Sequence, residues 1–378
     1  MKKLYYIAII GLLIFEFLNV YFIMPMPGSQ RMRSIEIAYF LYTWRWAFRG
    51  VLGLIALASF IPAFQASKLF SIGTLVVVVS GIYAFNFQMA ADSMFYQPKH
   101  LQMLDAKQNK ITKDRIVVGV VIDGKAKAYP ISLIGYHHQV LDTLGGKQIM
   151  VTYCTVCRTG RVYEPIVNGK IEHFRLVGMD HFNAMFEDET TKSWWRQANG
   201  EAIIGQLKGQ TLPELFSQQV SLEKWLQLYP NTLIMQPDVD SKEKYDSTAK
   251  YENGKSKSDL TRTDSLSWKD KSWVVGIEIG KDSKAFDWLR LKKERVINEQ
   301  VGAKAIALVL SADNKSFFAF ERPTKDSKFQ LQNDTIIVDN QKFMIDGRAV
   351  DTKVSLQRVK AYQEFWHSWQ TFHPMTQR

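Results

Sequence analysis

Three apolar runs within the first 90 residues set the strongest limit on what this chain can fold into. Leu4 to Ile23 is a 20-residue run broken only by Glu16 and Asn19. As a helix rising about 1.5 Å per residue it is about 30 Å long, enough to cross the hydrocarbon core of a bilayer. A cleaved export signal is the other reading of such a run, but the run is long and Met24-Pro25-Met26-Pro27 is a poor cleavage site. A second span is expected at about 46–64. Arg45 and Arg49, four apart, share a helix face at its start, where their stems can snorkel to the headgroups. Tyr39, Tyr42, Trp44 and Trp46 form an aromatic cluster typical of a membrane interface. The third run, 69–89, has no formal charge. Residues 1–90 are therefore expected to be a bundle of three transmembrane helices, at about 4–23, 46–64 and 69–89, with the lipid bilayer as partner.

Three spans put the N-terminus and the remainder of the chain on opposite sides of the membrane. Lys2 and Lys3 favour an internal N-terminus, whereas Arg31, Arg33, Arg45 and Arg49 around the first loop favour the reverse.

Residues 91–114 are polar and read as a connector. From Arg115 the pattern becomes short strands and turns: Ile116–Ile122, the turn Asp123-Gly124, then Ala126–Tyr129. Leu212 to Leu228 reads as helical or irregular. Residues 237–272 are rich in Ser, Lys, Asp and Thr and poor in apolar residues, which predicts a linker. Beyond it the chain repeats itself. Val118-Gly119-Val120 recurs as Val275-Gly276-Ile277, and Lys127-Ala128-Tyr129 as Lys284-Ala285-Phe286. Gly145 meets Gly302, Lys147 meets Lys304, and Trp225-x-x-x-Tyr229-Pro230-x-Thr232 is echoed by Trp369-x-x-x-His373-Pro374-x-Thr376. The expected fold is α+β and β-rich, with two similar tandem halves, 115–236 and 273–378, following the transmembrane bundle. The net charge of +11 leaves the part beyond residue 90 with only a small, dispersed excess of cations, which argues against a nucleic-acid partner.

The chemistry-bearing feature is Cys154-Thr155-Val156-Cys157, which holds the only two cysteines of the chain. Ile149 to Tyr153 before it and Arg161-Val162-Tyr163 after it read as strands, with Gly160 between. A redox C-x-x-C of the thioredoxin type opens a helix, and no helix start is present here. Strand-turn-strand resembles a metal knuckle instead, but a tetrahedral zinc site needs two further ligands. The second half carries Ser311 and Asn314 in place of the cysteines and Arg295 in place of His138, so the half-fold can be built without them. A metal or redox role and a structural disulfide both remain compatible with the pair.

His138 is a candidate ligand, with Asp142 placed to orient it; the alternative is a hydrogen-bonded surface histidine. His137 reads as a bystander. Met179-Asp180-His181, with Met185 nearby, offers a thioether and an imidazole suited to reduced copper; the alternative is packing methionines and a polar loop histidine. Trp195, Arg196 and Gln197 could line a ligand cleft, against the plainer reading of a core aromatic pair with a solvated arginine. No phosphate loop, Gly-x-Ser-x-Gly elbow or His-Glu-x-x-His is present.

The chain carries, in order, Gly124-Lys125-Ala126-Lys127-Ala128-Tyr129-Pro130, His138-Gln139-Val140-Leu141-Asp142, Thr152 to Gly160, Phe174-Arg175-Leu176-Val177-Gly178, Ser193 to Gln197 and Gly200-Glu201-Ala202-Ile203-Ile204-Gly205. This ordered set resembles the domain-of-unknown-function 3179 family. Gln139, Leu141 and Thr155 depart from that family's usual Glu, Asn and Pro. The resemblance implies no activity. It does imply a membrane-anchored domain outside the cytoplasm, and the loop arginines can snorkel to either face. The sequence thus predicts a multi-pass protein of the cytoplasmic membrane with an extracytoplasmic domain. It is expected to bind copper or zinc through Cys154, Cys157 and His138 or His181, with Asp142, Met179, Trp195, Arg196 and Gln197 behind them or lining a pocket. A thiol–disulfide oxidoreductase and a binding module with a structural disulfide are the alternatives. Nothing in the sequence names a ligand or protein partner.

Overall fold

The computed structural model describes residues 1–245, 248–351 and 354–378; positions 246–247 of the expected linker and 352–353 of the expected second half lie outside the described residues. The chain divides into two compact units. The first comprises residues 1–96, 172–196 and 201–211, and the second residues 97–171, 197–200 and 212–378.

In the first unit, helices Lys2–Tyr21, Arg45–Ala66 and Lys68–Gln88 are long and apolar enough to cross a membrane. Their outward faces carry Ile7, Ile14, Leu54, Leu57, Ile61, Val76 and Val79, all exposed, as a lipid-facing surface requires. The interior holds a polar cluster that the sequence placed elsewhere. The Arg49 guanidinium, expected among the headgroups, donates to both carboxylate oxygens of Glu16 (2.6 and 2.8 Å) and to Asn86 Oδ1 (2.6 Å). Glu16 is fully buried. Away from water an ionised pair of this kind lasts only when each charge is matched, and here both are. A short helix, Ile35–Thr43, occupies the first loop.

The same unit contains a four-stranded antiparallel sheet of Phe174–Asp180, Asn183–Asp188, Trp194–Arg196 and Ala202–Ile204. These strands fall within the region 115–236 of the sequence reading. What ties them to the helices is aromatic packing: Trp194 lies edge-on to Tyr39, with ring centroids 5.0 Å apart, and the Ile23 carbonyl accepts from Met179 N (2.7 Å).

In the second unit, Ile116–Ile122 and Lys125–Pro130 form an antiparallel hairpin, followed by helix Ile131–His137 and a three-stranded sheet of Gln139–Leu144, Lys147–Cys154 and Thr159–Tyr163. The helix was not anticipated, because seven residues including two β-branched isoleucines carry little helical signature. The same order of elements runs again through Trp273–Ile279, Asp282–Asp287, helix Trp288–Glu294, Val296–Val301, Lys304–Leu310 and Phe317–Glu321. Side-chain pairs recur with it: Lys127–Asp142 (2.7 Å) and Lys284–Glu299 (2.9 Å), then Lys147–Glu164 (2.9 Å) and Lys304–Glu321 (2.6 Å). Trp225 donates to Thr232 (2.9 Å) as Trp369 does to Thr376 (2.8 Å). Each of these tryptophans lies on a glycine. A Cβ on Gly119 would come within 2.3 Å of Trp225, and one on Gly276 within 2.1 Å of Trp369, so only glycine lets the indole seat there.

The segment expected as a bare linker contains two short helices, Lys242–Tyr245 and Thr248–Glu252, and buries Tyr245, Tyr251, Glu252 and Lys271. The stretch expected as helical or irregular is a strand, Ser217–Ser221, and a helix, Leu222–Leu228, capped by the Ser221 hydroxyl.

Candidate functional site

Strand Lys147–Cys154 ends on the first cysteine, Cys154 pairs with Thr159 across the hairpin, and residues 155–158 make the turn. Arg158 takes the left-handed conformation that closes it (φ 59°). The context is the strand-turn-strand knuckle read from the sequence. Both cysteines are fully buried and form no disulfide.

The turn is held by residues far along the chain. Phe365 N donates to the Cys157 carbonyl (2.9 Å). Lys271 Nζ donates to the carbonyls of Val156 (2.8 Å) and Leu260 (2.6 Å). His367 Nε2 lies 3.1 Å from both Lys271 Nζ and the Val156 oxygen. Burial pulls the Lys271 pKa down to about 8, while the negative charge that Cys157 and Cys154 can carry holds it up. Lys271 is thus still a cation at neutral pH, within electrostatic reach of both sulfurs. Burial, reinforced by Lys271, lowers His367 to about 3, so its imidazole is neutral.

On the other side of the turn, the Arg158 guanidinium lies over Trp273, 3.5 Å from the ring centroid. It donates to Gln363 Oε1 and to the Glu252 carbonyl, both at 3.0 Å. Tyr153 and Tyr251 share a hydrogen bond between their hydroxyls (3.1 Å). Burial pushes Tyr153 up to about 12 and Tyr251 well above its ordinary value, with the Cys154 charge adding to both. The turn that carries the thiols is thus bordered by the Lys271 ammonium and the Arg158 guanidinium, by phenols that burial keeps neutral, and by neutral imidazoles.

His138 follows helix Ile131–His137 in a left-handed conformation (φ 62°). Its carbonyl accepts from Tyr153 N (3.0 Å), which sets its backbone beside the residue preceding Cys154. It is buried rather than a surface histidine, with Nδ1 3.1 Å from the Tyr136 carbonyl, and burial lowers its pKa to about 4. His137 is also buried, at the helix end, with Nε2 2.7 Å from the Tyr245 hydroxyl. Asp142, expected to orient His138, is engaged by Lys127 Nζ (2.7 Å) and the Tyr129 hydroxyl (2.7 Å). Gln197 Nε2 donates to Thr152 Oγ1 (2.9 Å) and the Thr159 carbonyl (3.2 Å), so it braces the cysteine hairpin.

The other candidates belong to the first unit. His181 Nδ1 lies 2.7 Å from Asp180 Oδ1, and Arg196 pairs with Asp180 Oδ2 (2.7 Å). Burial works against the Asp180 carboxylate, but His181 and Arg196 outweigh it and keep its pKa below the usual value. Met179 pairs with Ala184 in the sheet, and Trp195 is a core residue whose Nε1 donates to Asp188 Oδ2 (2.9 Å). Among the described residues no group of three or more His, Cys, Asp or Glu side chains is arranged to hold a metal ion.

Lys271, His367, Tyr251 and Arg158 were missed by sequence reasoning. Arg158 adjoins Cys157 and could have been flagged by position; the others carry no local signal. A family model described as a protein of unknown function (DUF3179) matches residues 96–376. No curated protein and no solved structure matches the chain.

Proposed function

The chain belongs to the family of proteins of unknown function DUF3179, and we propose that it is a membrane-anchored protein whose domain binds copper(I) through the thiolates of Cys154 and Cys157. The observation that carries this reading is the Lys271 ammonium within electrostatic reach of both buried sulfurs. Two thiolates and one monovalent ion carry a net charge of −1 beside the Lys271 ammonium and the buried Arg158 guanidinium. A divalent ion on the same two thiolates would make this already cationic, buried site one charge more positive, at a cost of several kcal/mol. Zinc also calls for four ligands, whereas soft thiolates favour copper(I). Neutral His138 can add a nitrogen donor. Thiol–disulfide exchange is less well supported, because an attacking thiol needs access and both sulfurs are fully buried.

Purified full-length protein in non-ionic detergent, kept anaerobic and reduced, should retain one copper(I) per chain against a chelating competitor. Cys157→Ser should abolish retention, and Lys271→Met should weaken it about 10- to 100-fold without changing the stoichiometry. Copper held equally well after both cysteines are changed to serine would sink the reading.

An extracytoplasmic domain is part of the same proposal. Arg49 is consumed by Glu16 within the bundle, so it no longer counts as a loop charge. Lys2, Lys3 and Lys68 then face Arg31, Arg33 and Arg45 across the membrane, and the bias against an external domain disappears. Both native thiols are buried, so a cysteine at exposed Ser258 gives a clean reporter. Ser258→Cys should react with a membrane-impermeant maleimide on intact cells; labelling only after lysis reverses the topology.

The recurring element order and paired contacts support descent of 115–236 and 273–378 from a duplicated ancestor. In the second copy Arg295 donates to Asn314 Oδ1 and to the Leu310 carbonyl (2.8 Å), filling with a guanidinium the turn that carries thiols in the first.

A further inference from the structure

Cys154 and Cys157 are fully buried, so nothing reaches their sulfurs unless part of their cover moves. The elements packed on the cysteine hairpin differ in how firmly they are held. Strand Tyr362–Phe365 is paired with Trp273–Ile279 in a sheet, and Phe365 N is bonded to the Cys157 carbonyl. Helix Ile131–His137 is buried along its whole length. Residues 248–262, in contrast, pair with no strand among the described residues. They form the five-residue helix Thr248–Glu252 and a loop, and none of residues 253–266 is buried. A helix so short gains little from its own hydrogen bonds. This segment can therefore leave the hairpin without breaking a sheet or opening the core.

It is tied down at two places. The Tyr251 hydroxyl shares a hydrogen bond with that of Tyr153 (3.1 Å), and Tyr251 is 4% exposed. Arg158, in the cysteine turn, donates to the carbonyls of Tyr251 (3.4 Å) and Glu252 (3.0 Å). Glu252 Oε2 accepts from Ile116 N (3.4 Å) and Arg115 (3.5 Å), both at the long limit of a hydrogen bond. Further on, the Leu260 carbonyl accepts from Lys271 Nζ (2.6 Å), the same ammonium that holds the Val156 carbonyl. Gly254, in the left-handed conformation (φ 68°), closes the helix. Its N–H donates to the Tyr251 carbonyl (2.9 Å) and that of Lys255 to the Lys250 carbonyl (2.7 Å), a cap that lets the helix move as one piece.

The second copy shows that the half-fold does not depend on such a cover. Helix Thr248–Glu252 packs on Ile131–His137. The counterpart helix Trp288–Glu294 buries Trp288 and Leu291 and leaves Leu289, Arg290, Lys292, Lys293 and Glu294 exposed. The first helix carries Tyr136 and His137 where the second has Lys293 and Glu294, so uncovering it is possible but makes the lifted state the minor one.

We propose that residues 248–262 are a strap that lifts as a unit to admit a soft metal ion to Cys154 and Cys157, with Tyr251 as its latch. The identity of the ion rests on the copper reading above; the strap does not.

The test is the rate at which iodoacetamide alkylates the two thiols of the reduced, metal-free full chain in non-ionic detergent. Tyr251→Ala should raise that rate about tenfold or more, and Tyr251→Phe, which removes the phenol bond alone, about three- to tenfold. Ile336→Ala, in a three-stranded sheet of the second half, opens a core cavity and lowers global stability, and it should leave the rate unchanged. Dilute urea should change the native rate little, because lifting a short strap exposes little surface. If Tyr251→Ala does not fold, the phenylalanine variant and the urea dependence decide. The proposal is overturned if Ile336→Ala speeds alkylation as much as the Tyr251 variants do, since the thiols are then reached by global unfolding. It is equally overturned if the Tyr251 variants leave the rate unchanged. Alkylation needs no metal, so faster labelling in a chain that retains no copper sinks the copper reading alone. Where copper is retained, its transfer to a chelator should quicken by the same factors.

Discussion

Replacing Glu364 with alanine should destabilise the second unit by about 3–5 kcal/mol, the largest effect expected from one side chain outside the cysteine turn. Glu364 is 1% exposed and collects three donors: Arg161 NH2 (2.7 Å), the Thr159 hydroxyl (2.7 Å) and the Ser368 hydroxyl (2.8 Å). Its removal leaves the buried Arg161 guanidinium over the Tyr362 ring, with Glu214 3.9 Å away as its remaining carboxylate. Glu214 is itself shared with Lys360 and the Tyr362 hydroxyl. An uncompensated buried charge, not the lost bond, dominates the cost. At about 2–4 °C per kcal/mol for a unit of this size, the melting temperature should fall by on the order of 10 °C. Glu364→Gln should lose less, since the amide oxygen still accepts from one hydroxyl. The double variant Arg161→Met/Glu364→Leu should recover much of the loss, because two apolar side chains leave no charge behind. Additive losses in the double variant would show that the pair is not coupled. Thr159 is the strand partner of Cys154, so the cysteine turn should loosen together with the fall in stability.

The second large effect is acid lability. His138 is held at about 4 and His367 at about 3, against an ordinary value of 6.5, first by burial in both cases. Both folded-state values are depressed, so the unfolded chain binds protons that the folded chain refuses. The stability from their neutral burial is fully present above about pH 6.5. It is lost as pH falls from 6.5 towards 4, where the folded form begins to take up protons as well. At about 1.4 kcal/mol per unit, His138 alone contributes on the order of 3 kcal/mol across that window. Melting temperature measured from pH 7.5 to 4.5 should therefore drop steeply in the native chain. It should drop less in His138→Gln, and the difference between the two curves should open between pH 6.5 and 4.5. Parallel curves would mean that His138 is not buried in its neutral form.

The outcome for individual residues shows where sequence reasoning stops. Trp195, read as a cleft residue or as one of a core aromatic pair, is a buried ring, and Arg196, solvated in the second of those readings, is ion-paired with Asp180. Asp142 was paired with His138 because the two are four apart, but in the antiparallel sheet it faces Lys127 and Tyr129. Arg49 was assigned to the headgroups because an arginine near a helix start usually snorkels there; Glu16, 33 residues earlier, draws it into the bundle. In each case the sequence identified the residue and its chemistry, and a partner from another element fixed its role.

The sequence by itself determined what depends on near neighbours. Three apolar stretches of bilayer length, the strand alternation on either side of the cysteines and the family membership are all written in short windows, because hydrophobic period and backbone stereochemistry act over a few residues. Only the tertiary structure decided which groups surround Cys154 and Cys157. Lys271 stands more than a hundred residues downstream and His367 more than two hundred, and neither belongs to a motif. Packing of the segment around Tyr251 and of strand Tyr362–Phe365 against the hairpin brings them there. That packing is a property of the whole core, and it turns an isolated pair of thiols into a charged, buried site.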